Sequence, residues 1–202
     1  MHPESQLVLA SASPRRRQLL TEAGYAFTID AADIDESDYP PVLAPVAIAE
    51  LLATRKAEIV ASRHPQSVTL AADTVVAAAD GSPVGKPADA DDARRILRRL
   101  SGTRHEVITA VCIAAPSQRR ARARIVRTSV AMRRLSEAEI ESYIATGLWE
   151  GKAGAYGIQD NDPFVTRIDG SLTNVVGLPM EETAEMLKEL GVVPGAGTRG
   201  QH

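Results

Sequence analysis

The residues nearest the start of the chain have the types and spacing of an anion-binding site. An apolar stretch, Leu7–Ala10, is followed by Ser13, Pro14 and the arginines Arg15–Arg17. Serine is a favoured N-cap and proline is favoured at the first helical position, so we predict a strand and then a helix that begins at Pro14. The N-terminus of such a helix offers free N–H groups and the positive end of its dipole, which suit a phosphate. Arginines in the first turn oppose that dipole, and a triphosphate would relieve the conflict; an ordinary strand–turn–helix with solvated arginines is the alternative.

Carboxylates at two further places could do chemistry. The loop of residues 30–38 is rich in Asp and also carries Glu36. Mg²⁺ usually takes one or two carboxylates together with substrate phosphates, so this loop is a candidate metal site, with a solvated loop as the alternative. Asp73 lies between two apolar β-like stretches, where a carboxylate is costly unless it is hydrogen-bonded, paired or metal-bound. We predict either a functional aspartate there or one that caps the strand.

Two more loops carry lysine and glycine residues. Lys86 follows Gly85 and is followed by Pro87, so it does not complete a Walker motif. Residues 151–159 include three glycines, which would let the backbone approach a ligand closely, although turn geometry alone would also explain them.

The composition excludes several classes of function. The net charge of -3, the pI of about 5.8 and the 3% aromatic content argue against a dedicated nucleic-acid binder. The sole cysteine, Cys112, excludes an intrachain disulfide and a zinc site built from cysteines. No run approaches 18 apolar residues and no signal peptide opens the sequence, so we expect a cytoplasmic protein without a membrane partner.

The elements that must position these residues are helices and strands in mixed order. Apolar spacing and capping residues predict helices over residues 14–23, 45–63, 89–100, 137–146 and 179–190. Strands are predicted over residues 7–10, 67–79, 105–115, 123–133, 155–159 and 164–168. This order predicts an α/β fold with a mixed sheet. Residues 192–202, with their glycine, proline and polar residues, are expected to form a loose tail.

Seven short segments carry, when taken together, a resemblance that none of them carries alone. They are residues 11–16, Glu36, and residues 72–76, 85–87, 101–105, 154–159 and 174–179. Their order and spacing resemble those of the Maf proteins, a family of nucleoside triphosphate pyrophosphatases once named for septum inhibition. The resemblance covers about residues 5–191, and we take residues 1–191 as a single Maf-like domain. It implies a fold similar to the inosine-triphosphate pyrophosphatases: a long mixed β-sheet with two lobes around a central cleft, often in a homodimer.

The resemblance also implies an activity and a set of site residues. The family cleaves a nucleoside triphosphate to monophosphate and pyrophosphate with a divalent cation, Mg²⁺ or Mn²⁺. Asp73 would match the catalytic base and would hold the metal together with Glu36. The positions tied to substrate choice would be Arg15, Thr74 and Gln159. The phosphate and metal site would be lined by Ser11, Arg16, Glu36, Lys56 and Lys86. The segment 151–159 resembles the branch that acts on dTTP and UTP.

Two other functions stay open from the sequence. One is the same chemistry on purine or modified nucleotides. The other is a non-catalytic regulator of cell division that binds a nucleotide or a protein partner. Asp73, Glu36 and the two lysines together favour an enzyme, since a pure binder needs no buried base.

Overall fold

The computed structural model describes residues 6–118, 120–158 and 164–195. Within these ranges the chain forms one seven-stranded sheet and six α-helices. The strands are β1 (Leu7–Leu9), β2 (Phe27–Ile29), β3 (Val68–Ala77), β4 (Pro83–Val84), β5 (Arg104–Ala114), β6 (Arg122–Met132) and β7 (Val165–Asp169). The helices are α1 (Pro14–Glu22), α2 (Pro45–Arg63), α3 (Ala90–Leu100), α4 (Glu137–Ala145), α5 (Leu172–Val176) and α6 (Met180–Lys188). None of these helices is long and apolar enough to span a bilayer.

The sheet is mixed, as the sequence predicted. Its strand order is β2-β1-β3-β5-β6-β7, and β4 pairs with β3 as a short branch. Strand β1 runs parallel to both β2 and β3. Strands β3, β5, β6 and β7 follow one another in antiparallel pairs. Strand β3 is therefore the point at which the parallel part of the sheet meets the antiparallel part.

The core is divided between the two faces of this sheet because successive side chains of a strand point to opposite faces. Ala71 and Val75 of β3 pack with α2 on one face. Leu70 and Ala72 pack with α1 and α6 on the other. In a third apolar cluster, α3 and α4 pack against Val76 of β3, Val107 of β5 and Val130 of β6. The fold is the expected long mixed sheet with two lobes, and a cleft lies between α1 and the segment 151–158.

Most predicted elements are confirmed to within two residues at each end, but the predicted strand at residues 155–159 is wrong. Ala153–Ala155 form a 3-10 turn in which Gly154 has φ 78° and Ala155 has φ 61°. Two successive left-handed residues cannot lie in a strand, where φ is strongly negative. Ala155 and Tyr156 instead pack as buried side chains in the cluster that contains Val76 of β3, and Gln159 lies outside the described residues.

Three observed elements were not predicted because they are too short to show a period. They are β2, β4 and α5, of three, two and five residues. Helix α5 nevertheless has both caps: the Ser171 hydroxyl accepts the Asn174 N–H, and Gly177 ends the helix with φ 115°.

The first residues of the expected tail pack against the domain. Val192 is buried in the cluster of α1 and α6, and the Gly195 N–H donates to the Gly24 carbonyl at 3.0 Å. This contact holds the turn that follows α1.

Candidate active site

Strand β3 supplies two neighbouring polar side chains to opposite faces of the sheet. Asp73 points to the α2 face, where its Oδ1 lies 2.6 Å from Lys56 Nζ. Thr74 points to the α1 face, where its Oγ1 accepts a hydrogen bond from Arg16 Nη2 at 3.2 Å. Both residues lie at the edge of the cleft. One strand therefore joins the two halves of the site.

A chain of ion pairs runs from Asp73 to the mouth of the cleft. Lys56 Nζ lies 2.6 Å from Asp73 Oδ1 and 2.6 Å from Glu36 Oε1, so one ammonium bridges two carboxylates. Lys86 Nζ donates to the other oxygen of Glu36. The Lys56 and Asp73 side chains are 7% and 8% exposed, whereas Glu36 is 37% exposed. The pairing is required because an uncompensated charge at Asp73 would be very costly.

The pKa values of Asp73 and Glu36 are shifted in opposite directions. Burial raises the pKa of Asp73, although the positive charges of Lys56 and Arg16 oppose the rise. Partial burial also acts to raise the pKa of Glu36, but the hydrogen bonds and charges of Lys56 and Lys86 outweigh it and lower that pKa to about 2. Asp73 is thus the better proton acceptor, and Glu36 keeps its negative charge at every physiological pH.

Helix α1 begins as predicted, but Arg16 is satisfied within the protein. The Ser13 hydroxyl accepts the Arg16 N–H at 3.5 Å, and Pro14 is the first helical residue. The Arg16 guanidinium donates to the Gly177 carbonyl at 2.8 Å and the Ser11 hydroxyl at 3.1 Å, in addition to Thr74. These acceptors offset its conflict with the helix dipole. Among the described residues Arg15, in contrast, makes one long bond of 3.4 Å to the Gly151 carbonyl, which leaves donors of its guanidinium for a ligand.

The cleft has two compartments, and both are lined in part by charged side chains. We call the first the charged compartment, and the second, which also holds a group of apolar side chains, the apolar compartment. The charged compartment is lined by Ser11, Ser13, Pro14, Glu36, Lys56 and residues 31–32. The apolar side chains of the other compartment are Val76, Val107, Tyr156, Ile158, Val175 and Val176, and Asp73, Thr74 and Lys152 also line it. Arg15, Arg16 and Lys86 line both compartments. A ligand with a polyanionic end and a flat apolar end would fit this division.

The wall of the apolar compartment is held by a buried contact between Tyr156 and His105. The tyrosine Oη lies 2.7 Å from His105 Nε2, and the histidine is 2% exposed. Burial lowers the pKa of His105 to about 4, so the imidazole is neutral at pH 7. Gly154 is needed in this wall because a Cβ there would lie 3.1 Å from Val76 Cγ2.

The carboxylates of Asp73 and Glu36 suit a divalent cation by their chemistry. Both reach a single point, the Lys56 ammonium, and Mg²⁺ usually takes one or two carboxylates along with substrate phosphates. In the ranges that the structure covers, no three His, Cys, Asp or Glu side chains form a metal-binding group. Two carboxylates would leave the other coordination positions of a Mg²⁺ to water and to substrate oxygens.

Eight of the nine predicted site residues line or border this cleft. They are Ser11, Arg15, Arg16, Glu36, Lys56, Asp73, Thr74 and Lys86. The ninth, Gln159, lies outside the described residues. Of the carboxylates in the acidic loop, all of which lie within the described residues, Glu36 is the one that lines the cleft, while Asp30 pairs with Arg63 and Asp38 with Arg55.

Sequence reasoning missed three contributors. The Gly177 carbonyl receives Arg16, Thr109 Oγ1 lies 2.9 Å from Thr74 Oγ1, and the Asn174 amide donates to the Val107 carbonyl at 3.0 Å. Residues 174–179 were one of the recognised segments, but no spacing in the sequence predicts what they contact.

Comparison with known proteins gives matches over nearly the whole chain. A family model described as Maf-like protein matches residues 6–190. A protein of Anaeromyxobacter dehalogenans named dTTP/UTP pyrophosphatase is 49% identical over 193 residues, which cover 92% of this chain and 94% of the relative. A protein of Myxococcus xanthus with the same name is 46% identical over 190 residues, covering 94% of each chain.

Among solved structures, a HAM1 protein from Coxiella burnetii has a TM-score of 0.50 at 15% identity, covering 92% of this chain and 99% of that one. At this identity the match supports the fold alone.

We expect Lys56→Gln to destabilise the protein by about 3–5 kcal/mol at neutral pH, because it leaves Asp73 buried without its cation. Asp73 already has a raised pKa, and the substitution raises it further. The folded variant then holds a proton that the unfolded chain releases, so its free energy of unfolding falls as pH rises from the ordinary range of Asp toward the raised pKa. Urea unfolding at pH 5 and pH 8 measures this.

Arg55→Gln is the matched control, since Arg55 lies next to Lys56 in α2 and its ion pair with Asp38 is exposed. It should cost about 0–1 kcal/mol at either pH. Equal losses for the two variants would contradict a structural role for the buried pair.

Proposed function

This chain belongs to the family of Maf-like proteins, and on that premise we propose that its cleft hydrolyses a nucleoside triphosphate to nucleoside monophosphate and pyrophosphate. The observation that carries the proposal is the row of charges Asp73–Lys56–Glu36–Lys86, which leads from a buried carboxylate to the mouth of the cleft. Phosphoryl-transfer enzymes act mainly by positioning and by charge neutralisation, and this row supplies groups for both.

Asp73 is the residue we assign as general base. Its raised pKa makes it a better proton acceptor than an exposed aspartate, and Lys56 fixes one of its oxygens. A water beside the carboxylate would attack the α-phosphorus and pass its proton to Asp73. The bond from the α-phosphorus to the bridging α–β oxygen would break, and the electron pair would leave with pyrophosphate.

The phosphates would be held by cations that line both compartments. Arg15 keeps donors for a ligand, and a guanidinium can bind phosphate oxygens bidentately. Lys86 is 49% exposed and can exchange its contact with Glu36 for a phosphate. Arg16 and Ser11, which are bonded to each other, also line the charged compartment, and we propose that they bind the phosphates as well.

Glu36 and Asp73 are the residues we expect to hold a divalent cation, Mg²⁺ or Mn²⁺. When bound, such an ion supplies neutralisation of charge on the phosphate oxygens. Lys56 and Lys86 already face these carboxylates, so the case for the cation is that Mg²⁺ usually binds one or two carboxylates together with substrate phosphates.

The favoured substrates are dTTP and UTP. The relatives with 46% and 49% identity carry the name dTTP/UTP pyrophosphatase. Purine or modified nucleotides stand as the alternative within the same chemistry. The buried Asp73 disfavours a non-catalytic regulator of cell division, which would need a nucleotide but no base.

We expect the enzyme to act in the cytoplasm, with neither a nucleic acid nor a membrane as partner. The net charge of -3 offers no general attraction for polyanions. We propose a homodimer, the assembly frequent in the family, and light scattering would distinguish it from a monomer.

The products test the proposed function. In water enriched in oxygen-18, UTP or dTTP should give monophosphate and pyrophosphate in equal amounts, with the heavy oxygen in the monophosphate. Mass spectrometry of both products locates the label. Diphosphate and labelled orthophosphate as first products would mean attack at the γ-phosphorus, and nucleotide binding without any product would favour the regulator.

Removal of divalent cations should abolish turnover, and Mg²⁺ or Mn²⁺ should restore it. Glu36→Gln should raise the Mg²⁺ concentration that gives half-maximal rate, because it removes one of the two carboxylates. Asp35→Asn is the matched control in the same exposed loop, since the Asp35 carboxylate accepts from the N–H and the hydroxyl of Ser37 and from no other described residue. Full activity in excess chelator would remove the cation from the mechanism.

Asp73→Asn should lower kcat by at least the roughly 10²–10⁴-fold typical of general-base catalysis, while nucleotide binding persists. Asp38→Asn, at a carboxylate that is 76% exposed, should leave kcat unchanged. Circular dichroism of both variants checks that they fold. A near-normal kcat in folded Asp73→Asn would reduce this residue to a structural partner of Lys56.

A further inference from the structure

A row of hydrogen bonds crosses the cleft floor from Arg16 to the backbone of α5. Arg16 Nη2 lies 3.2 Å from Thr74 Oγ1, and Thr74 Oγ1 lies 2.9 Å from Thr109 Oγ1. Thr109 Oγ1 in turn donates to the Asn174 carbonyl at 3.3 Å. Thr74 and Thr109 are directly opposite each other in the β3–β5 pairing. The two hydroxyls thus connect a guanidinium to a carbonyl.

The chemistry of the two ends fixes the direction of this row. A guanidinium can only donate, and a carbonyl can only accept. Thr109 is fully buried, and it makes both of its contacts as hydrogen bonds only if its proton goes to Asn174 and it accepts from Thr74. The reverse direction would set the Thr109 and Asn174 oxygens against each other without a proton between them. The Thr74 hydroxyl therefore donates its single proton to Thr109 Oγ1.

Both ends of the row are anchored without help from Thr109. The Arg16 guanidinium is also held by the Gly177 carbonyl and the Ser11 hydroxyl. The Asn174 side chain donates to the Val107 carbonyl and to Thr128 Oγ1 at 2.9 Å. A substitution at Thr109 should consequently change the direction of the Thr74 hydroxyl proton more than it moves the Arg16 guanidinium or the Asn174 backbone.

We propose that Thr109 is a positioning residue for substrate choice, because it makes the Thr74 hydroxyl an acceptor toward the bound ligand. With its proton committed, Thr74 can offer the cleft only a lone pair. Among the residues that line its compartment, Val76, Val107 and Val176 offer apolar surface that suits a base, while Arg16 already donates to the Thr74 hydroxyl. The ligand group that complements it is a ring N–H.

This inference rests on the proposed function and narrows its substrate class. Uracil and thymine carry an N–H at ring position 3, whereas cytosine carries a bare acceptor nitrogen there. An acceptor-only Thr74 accordingly favours bases with an imide N–H and leaves the cytosine nitrogen facing a lone pair. A site built to bond one partner discriminates strongly against the analogue that leaves a polar group unpaired.

Thr109→Val tests the proposal, since valine keeps the shape of threonine but removes the acceptor for the Thr74 proton. That proton can then be donated to cytosine, so the ratio of kcat/KM for UTP to kcat/KM for CTP should fall about three- to tenfold, the effect of one hydrogen bond. Thr109→Ser keeps the hydroxyl and should keep the wild-type ratio.

Thr69→Val is the matched control in β3. Thr69 is also fully buried, and its Oγ1 has no hydrogen-bond partner within the described part of the chain. It pairs with Ala114 at the opposite end of the strand from the cleft, so the ratio should not change.

A measurement on the unmodified enzyme does not depend on whether any variant folds. The wild type should hydrolyse N3-methyl-UTP less efficiently than UTP, because the methyl group replaces the imide proton. Equal efficiencies for these two nucleotides, or the same UTP-to-CTP ratio in wild type, folded Thr109→Val and Thr109→Ser, would overturn the inference while the pyrophosphatase activity stands. Absence of turnover of every nucleotide by the wild type would instead refute the proposed function itself.

Discussion

The buried contact between Lys56 and Asp73 is the constraint on which the rest of the site depends. Two side chains less than a tenth exposed carry opposite charges 2.6 Å apart, and neither could remain charged in that position alone. The ammonium also reaches Glu36, which fixes a loop that no secondary structure holds. Helix α2 therefore contributes both the apolar layer against β3 and the cation that organises the acidic groups. The ammonium thus fixes the positions of both carboxylates before a substrate binds, and fixed charges of this kind are the basis of electrostatic preorganisation.

Much of the fold could be predicted from the sequence because its long elements show clear periods and caps. Ser13, Pro14 and the Ser136–Glu139 capping box fixed helix starts that the structure confirms. The strand predicted over residues 155–159 was wrong because Ala155, a residue that rarely takes a positive φ, is held left-handed by its surroundings. The three glycines of residues 151–159 are a local sign of a turn, but nothing in the sequence indicates that Ala155 shares the left-handed conformation.

Some features of the site could likewise be predicted from the sequence, whereas others depend on the tertiary fold. Lys56 is four residues after Leu52 and four before Val60, both buried in α2, so its inward direction could be read from helical spacing. The contact of Thr74 with Thr109 depends on the register of two strands 35 residues apart in sequence, which no single-chain pattern fixes. The resemblance to a family identified Thr74 as a site residue without a physical reason. The strand register supplies one, because it places Thr109 opposite Thr74.

The alternation of side chains along β3 also affects how faithfully the sheet can assemble. Nine of the ten residues of this strand are buried, and apolar residues occupy both of its faces. A strand that is apolar on both faces gives little hydrophobic penalty for sliding by one position. The polar pair Asp73 and Thr74 supplies that penalty, because a slip would turn the carboxylate away from Lys56 and the hydroxyl away from Arg16. Asp73 and Thr74 thereby fix the register of β3 in addition to their place in the site. A single-residue insertion or deletion in β3 would therefore impair folding as well as activity.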